Sequence, residues 1–263
     1  DLILKRLADF MEQSQALKNK VVGAMIYPIV VVMFAILIVT GIMVFVIPKF
    51  EKIFLDFNTE LPAMTTMLLA TSRWFAGGGW IAIIGAPVAV FGAIKLLQQS
   101  DGGRMFVDQM KLSIPLFGRI IHKSVTARFT RTLGTLIHAG VPILEAINIT
   151  RDTTGNEVFA KALSKVHDGI REGESFAAPL KSTKVVDSLV VNMIDVGEET
   201  GDLDKMLTKV ADNYDEEVDV LVGGLVSALE PLMVVILGVL VGGIVIALFM
   251  PLVQIIQDVR QTK

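Results

Sequence analysis

Three long stretches of the sequence contain no charged side chain. They cover residues 21–48, 74–94 and 231–257 and hold 28, 21 and 27 residues. At a rise of about 1.5 Å per residue, a helix of any of these lengths crosses the roughly 30 Å hydrocarbon core of a bilayer. Buried core helices are the alternative, mainly for the second run, because Gly77-Gly78-Gly79 weakens its start. The pattern predicts an all-α membrane protein with three transmembrane helices.

An internal repeat relates the two ends of the chain. Leu7-Ala8-Asp9 and Val210-Ala211-Asp212 each precede an uncharged run, and the prolines of the two runs lie 203 positions apart, Pro28 with Pro231 and Pro48 with Pro251. Such a repeat predicts a membrane protein built from duplicated units. Residues 1–20 are then expected to be the last helix of a truncated first cytoplasmic domain. The start at Asp1 rather than methionine adds the expectation of a missing upstream portion.

The distribution of Lys and Arg predicts the orientation. Residues 1–20 hold four basic side chains, and residues 95–131 hold seven against two aspartates. The 49–73 segment balances three basic with three acidic side chains. Because basic segments stay in the cytoplasm, we expect 1–20 and 95–230 inside, 49–73 as a periplasmic loop, and 258–263 as an outer tail. The net charge of −3 gives no reason to expect nucleic acid as a partner.

The 95–230 segment shows helical periodicity without an alternating strand pattern. Its apolar stripes predict an antiparallel helical bundle; they are Phe129, Leu133, Leu136 and Ile137, then Phe159, Ala162, Leu163, Val166 and Ile170, then Leu203, Met206, Leu207, Val210, Ala211 and Tyr214. Gly140 and Gly173 are predicted helix stops, and Pro142 is predicted in the first turn of the next helix.

Residue patterns typical of catalysis are not found. The sequence has no cysteine and no phosphate-binding glycine-lysine loop, and its three histidines lie singly on predicted helices. The carboxylates Asp195, Glu198, Glu199, Asp202 and Asp204 leave two interpretations: an acid/base or cation site, or a helix ending at Gly201 with Asp202 capping the next. The second is favoured. A further acidic group, Asp212, Asp215, Glu216, Glu217 and Asp219, is either a solvated helix face or a docking patch.

Several motifs are similar to those of one family. They are Phe129 to Pro142, Gly173-Glu174-Ser175, Met193 to Leu203, Leu229-Glu230-Pro231 with Pro251, and the first-run segments Tyr27-Pro28 and Val46-Ile47-Pro48. Together they resemble the PilC/GspF family, the polytopic platform proteins of type IV pilus and type II secretion machines.

The resemblance implies a non-enzymatic scaffold in the bacterial inner membrane, without cofactor or metal. Its partners would be the lipid bilayer, a cytoplasmic hexameric motor ATPase, pilin or pseudopilin subunits, other inner-membrane assembly components and further copies of itself. The residues that it implies for structure or interaction are Gly140, Pro142, Gly173, Gly197, Glu198, Glu199, Gly201, Asp202, Glu230, Pro231 and Pro251. A polytopic transporter or channel, suggested by the spans and the repeat, and a membrane hydrolase using the 195–204 carboxylates are the alternatives.

Overall fold

The computed structural model describes residues 23, 26–56 and 63–261, and in this part of the chain it is helical without a β-strand. The predicted helix of residues 1–20 lies outside the described residues. Helix α1 covers 26–41 and continues through a π-helical turn, Ile42–Val46, into α2, Ile47–Asp56. Helix α3 is Ala63–Trp74, and a second π-helical turn, Phe75–Gly79, joins it to α4, Trp80–Leu97.

Seven further helices follow. They are α5 (Asp101–Ser113), α6 (Phe117–His138), α7 (Ile143–Thr153), α8 (Glu157–Arg171), α9 (Ala177–Thr183), α10 (Ser188–Thr200) and α11 (Leu203–Gln261). The chain forms two compact units. Among the described residues, we call 93–225 the bundle unit, and 23, 26–56, 63–92 and 226–261 the apolar unit.

The core of the bundle unit is built from the predicted stripes. Phe129, Leu133, Phe159, Leu163 and Tyr214 are each at most 1% exposed, and the partly buried Leu136, Ile137 and Ile170 pack around this core. Complete burial of one such side chain stabilises the fold by about 1.5–3 kcal/mol. The helical periodicity read from the sequence is therefore confirmed by the side chains that form the core.

Glycines end three helices of the bundle unit as the sequence predicts. Gly140, Gly173 and Gly201 have φ of 82°, 94° and 77°, which is the left-handed region that favours glycine. Pro142 differs slightly from its prediction. It is the N-cap of α7, with φ −53° and ψ 138°, and its carbonyl accepts the first helical hydrogen bond, from Ala146 N–H at 2.9 Å.

Two helices of the described chain are long and apolar enough to cross a membrane, Ile26–Phe50 and Leu203–Met250. The second uncharged run gives a shorter apolar helix, Gly85–Leu97. Residues 74–94 do not form one regular helix, because Gly78 has φ 94° and α4 begins only at Trp80. The triple glycine therefore breaks this run near its start, and a transmembrane helix over residues 74–94 remains a prediction.

The 49–73 segment, predicted to be a loop, is largely helical. It contains the end of α2 and nearly all of α3, which buries Thr65, Leu68, Leu69 and Ser72. Residues of α3 share a small core with Met43, Ile47, Ile244 and Ala247. Helix α3 was not predicted because the charged residues between 49 and 60 separate its short apolar face from the uncharged run before it.

Candidate functional site

The Glu198 carboxylate caps the N-terminus of a neighbouring helix. Its two oxygens accept from the Phe176 N–H at 2.9 and 2.8 Å, and Oε2 also lies 3.4 Å from the Ala177 nitrogen. These amides begin α9, where the first N–H groups of the helix have no acceptor within the helix and a negative charge is favourable. Glu198 therefore links α10 to α9 and has a structural use for its charge.

Gly197 marks a close approach of α10 and α11. A Cβ added there would lie 3.0 Å from Met206 Cβ and 3.1 Å from Leu203 Cα. Gly134 on α6 does the same, with Leu207 Cβ at 3.1 Å from its added Cβ. Glycine at these two positions lets α6 and α10 both pack directly on the first turns of α11.

The carboxylate cluster of residues 195–204 does not converge on one point. Asp202 pairs with Lys205, one turn along, and its carbonyl accepts from Met206 N–H at 3.1 Å. Asp204 Oδ2 lies 2.6 Å from His138 Nδ1 on α6, and Glu199 and Asp195 are exposed. Among the described residues no group of three His, Cys, Asp or Glu side chains is placed to hold a metal ion. The geometry thus favours the structural interpretation of this cluster.

The His138 contact also changes the titration of its partner. A carboxylate can only accept, so Nδ1 carries the proton of this bond. The hydrogen bond from His138 lowers the pKa of Asp204 below its ordinary value, against the opposing effect of desolvation. This pair joins the last turn of α6 to the first turn of α11.

The acidic face of α11 is largely used within the bundle unit. Arg131 Nη2 on α6 donates to Asp212 Oδ1 at 2.8 Å and to Asp215 Oδ2 at 2.6 Å, and Lys123 pairs with Glu217. Burial alone would lower the pKa of Arg131, but the hydrogen bonds and charges of the two aspartates outweigh it and raise the pKa. Three of the five carboxylates in this acidic group therefore bind side chains of α6.

Tyr214 joins α11 to the start of α10. Its hydroxyl donates to Asp187 Oδ2, while Asp187 Oδ1 accepts from Val190 N–H at 3.2 Å and so caps α10. Lys123 Nζ lies 4.5 Å from the centre of the Tyr214 ring. Burial, assisted by the hydrogen bond and charge of Asp187, raises the pKa of the Tyr214 phenol.

Sequence reasoning missed the cap of α8 and the cleft beside it. Asn156 Oδ1 accepts from Val158 and Phe159 N–H, and Asp108 Oδ2 accepts from Glu157 N–H at 3.0 Å, so α5 helps to cap α8. A cleft of about 800 Å³ lies beside these residues, with a mixed lining of basic and acidic side chains. Only the asparagine immediately before the helix had a local signal, that of an N-cap.

Two hydroxyls that sequence reasoning also missed explain how the repeated prolines are accommodated. In an α-helix, the N–H of residue 251 would bind the Ala247 carbonyl, but Pro251 has none. Thr65 Oγ1 donates to that carbonyl at 2.7 Å. In the π-helical turn, where Ile47 N–H binds Ile42 O, the Met43 carbonyl would need the N–H of residue 48, which is Pro48; Ser72 Oγ donates to it.

Pro28, Pro231 and Glu230 lie on the two helices that are long and apolar enough to cross a membrane. α11 continues as a helix through Glu230, Pro231 and Pro251, and both Glu230 and Pro231 are exposed. An apolar cleft of about 300 Å³ lies between α1 and α11. Phe75 also lines it, and Thr40 supplies its one hydroxyl. No ionisable side chain is among those that line it.

The sequence profile described as "Type II secretion system (T2SS), protein F" matches residues 1–48 and 129–251 of this chain. The two matched stretches end at Pro48 and Pro251, the equivalent prolines of the 203-residue repeat. Together they cover more than half of the 263 residues. The chain belongs to this family. The resemblance to PilC/GspF proteins drawn from the motifs is thereby confirmed.

Members of the family from several bacteria are similar over nearly the whole chain. The type IV pilus assembly protein PilC of Myxococcus xanthus is 44% identical over 252 residues, which is 96% of this chain and 60% of the relative. The PilC of Pseudomonas aeruginosa is 38% identical, over 96% of this chain and 68% of its own length. The type II secretion system protein F of Pseudomonas aeruginosa is 31% identical, over 97% and 62%. The chain thus spans about three fifths to two thirds of the length of these relatives.

The second matched stretch of the family profile contains many of the contacts described above. It begins at Phe129 and runs to Pro251, and so includes Arg131, Glu198 and most of α11. All of the predicted structural residues, from Gly140 to Pro251, fall within it. The α5 region and the two hydroxyls of α3 lie in the unmatched interval, 49–128.

Proposed function

We propose that this protein is the inner-membrane platform of a type IV pilus or type II secretion machine, and that it couples a cytoplasmic hexameric motor ATPase to the assembly of pilin or pseudopilin subunits. The family match is the main support for this proposal. Its two matched stretches contain both copies of the repeat and end at the equivalent prolines, Pro48 and Pro251. The proposed topology has three spans, with the bundle unit in the cytoplasm and residues 49–73 on the periplasmic side.

The bundle unit is suited to pass on a mechanical input. Arg131 binds α6 to α11, Glu198 binds α10 to α9, and Tyr214 binds α11 to the cap of α10. A push by the motor on any of these helices then moves the others with it, rather than deforming one alone. α11 carries the chain from this unit into the apolar unit, so it is the proposed lever.

Pro231 is the proposed point of bending in that lever. Proline removes one intrahelical hydrogen bond and crowds the preceding turn, which makes it the commonest cause of a bend. We expect Pro231→Ala to reduce filament assembly or secretion while leaving the protein in the membrane. Val234→Ala, a change at an exposed position of the same helix, is the matched control. Assembly at the unsubstituted level in Pro231→Ala would remove the bend from the mechanism.

Two surfaces remain for partners. Glu199 and Glu216 are exposed carboxylates, available to a basic surface of the motor. Gly238, Gly242 and Gly243 form a small-residue strip on α11 that lets another apolar helix approach closely, either a pilin segment or a second copy of the chain.

Affinity purification of the tagged protein from its own bacterium tests the proposal directly. The expected result is recovery of a motor ATPase and of pilin or pseudopilin in one detergent-stable complex. Recovery of neither, with the protein itself folded and in the membrane fraction, would contradict it. The transporter alternative gains no support from the cleft between α1 and α11, because its lining offers no ionisable group to a polar substrate.

A further inference from the structure

The exposed apolar side chains of the bundle unit are concentrated in one short stretch. Ten large apolar side chains of residues 93–225 are exposed, and seven of them lie between residues 96 and 117. Leu96 and Leu97 end α4, and the other five form what we call the α5–α6 patch: Phe106, Met110, Ile114, Leu116 and Phe117. Clusters of this kind mark a contact with another apolar phase.

The outward face of α5 is both apolar and uncharged. Phe106, Met110 and Ile114 follow one another at intervals of four residues, so they lie along one side. The other exposed positions on that side are neutral, Gly102, Gln109 and Ser113, whereas Val107 and Asp108 are buried on the opposite side. A solvated helix normally places charges on this outward face.

α5 begins directly against the end of α4. A Cβ on Gly103 would lie 1.9 Å from the Leu97 carbonyl oxygen, so only glycine fits there. Ser100 Oγ accepts from Gly103 N–H at 3.2 Å, and Arg104 Nε donates to the Gln98 carbonyl at 2.7 Å. These contacts hold the start of α5 at the last turn of α4, the helix that the proposed function places in the bilayer.

The charge and the backbone around the patch favour a lipid surface. Arg119 is exposed near one end of the patch, and it forms no ion pair with a carboxylate within the bundle unit. An exposed arginine is attracted to the surface of an anionic membrane. Leu116 is held at φ 65° with its side chain 58% exposed, a conformation that is unfavourable for leucine and keeps the side chain outside the core.

We propose that α5 and the α5–α6 turn form an interfacial anchor, which inserts the α5–α6 patch into the headgroup region of an anionic bilayer. The anchor rests on the proposed placement of α4 in the membrane. Like an amphipathic helix that lies in the plane of the interface, the anchor would bury its apolar side chains among the headgroups and leave its polar side in water. A symmetric contact between two copies would bring each patch against its equivalent, and with it the Arg119 side chains of both copies.

Nitroxide labels on the 263-residue chain test the anchor, because the sequence has no cysteine and each variant carries one label. Phe106→Cys and Met110→Cys report on the patch. Lys165→Cys, on the exposed side of α8, is the water-exposed control, and Val90→Cys reports on α4. In vesicles of phosphatidylethanolamine and phosphatidylglycerol, the collision rate with oxygen is compared with that of a water-soluble nickel chelate.

We expect the oxygen-to-nickel collision ratio at 106 and 110 to be several-fold higher than at 165. Ratios at 106 and 110 equal to that at 165, with Val90 in lipid, would overturn the anchor and leave the proposed topology intact. A label at Val90 that also reports water would overturn the placement of α4 itself. Exclusion of both reagents at 106 and 110, with spin-spin broadening, would replace the bilayer by a second copy of the chain.

Discussion

Gly197 lies where α10 and α11 approach too closely for a side chain. An added Cβ would meet Met206 Cβ at 3.0 Å and the main-chain Cα of Leu203 at 3.1 Å. We expect Gly197→Ala to lower the free energy of unfolding by about 1–3 kcal/mol, even though alanine favours a helix by about 1 kcal/mol. Gly224→Ala on α11 has open space at the new Cβ and should show only the gain. Hydrogen exchange of the α10 amides measures both, and equal protection would contradict the steric argument.

Glu198 and its neighbour Glu199 separate a structural role from a docking role. Glu198→Ala leaves the Phe176 N–H without its acceptor, so we expect α9 to lose about 1–2 kcal/mol of stability. Glu199→Ala removes an exposed carboxylate, and its effect on stability should stay within about 0.5 kcal/mol. Hydrogen exchange of α9 measures both changes. Loss of assembly in Glu199→Ala at unchanged stability would assign that side chain to a partner.

The glycine positions were predictable, whereas the N–H group that donates to Glu198 was not. Gly140, Gly173 and Gly201 have a local signature, because a helical stripe stops beside a residue that tolerates positive φ. Glu198, by contrast, binds an amide 22 positions away. A carboxylate near a helix end predicts a favourable charge, but nothing in the sequence tells which helix receives it.

Helix α3 is the element that completes the hydrogen bonding of two proline-containing helices. Thr65→Val leaves the Ala247 carbonyl without a donor, so we expect a loss of about 1–3 kcal/mol. Pro251→Ala restores an N–H to α11, and Thr65→Val should cost clearly less in that background. A double-mutant cycle on thermal unfolding in detergent measures the coupling. Strict additivity would show that the hydroxyl does not replace the missing amide.

The contact between α6 and α11 predicts a loss of stability in acid. The hydrogen bond from His138 lowers the pKa of Asp204, whereas an unfolded aspartate titrates near about 3.9. A depressed pKa means that the pair contributes fully above the unfolded value and is lost as the pH falls through the folded one. Asp204→Asn should therefore flatten the decline of stability below about pH 4. Asp195→Asn, which changes an exposed carboxylate, is the control and should retain the decline. Hydrogen exchange of the α6 amides measures the stability of both variants.

Elements with one continuous apolar stripe were predictable, and those that depend on distant partners were not. The stripe through Phe129 and Leu133 alone identifies α6. α3 has only twelve residues and follows a charged stretch. Nothing local to its two buried hydroxyls indicates their role, because their acceptors, the carbonyls of Ala247 and Met43, are distant in sequence. Three consecutive glycines suggested a weak start to the second uncharged run, but they did not show that the helix breaks at Gly78.

The topology of the whole molecule can be tested with two exposed lysines. Lys52 lies in the 49–73 segment and Lys165 on α8, and both can be replaced by cysteine in a chain that has none. We expect a membrane-impermeant maleimide, applied to intact cells with a permeable outer membrane, to label Lys52→Cys and to leave Lys165→Cys unlabelled until the inner membrane is opened. Labelling of both from the same side would contradict the proposed orientation.

The carbonyls left without an N–H partner by Pro48 and Pro251 both receive hydrogen bonds from α3. Duplication of a helix-and-span unit copies Pro48 and Pro251, yet the donors for both come from α3, which lies between the copies. The copies are consequently not interchangeable modules: neither can be excised or transplanted without leaving an open carbonyl behind, and a change of either proline alters what the shared helix must supply.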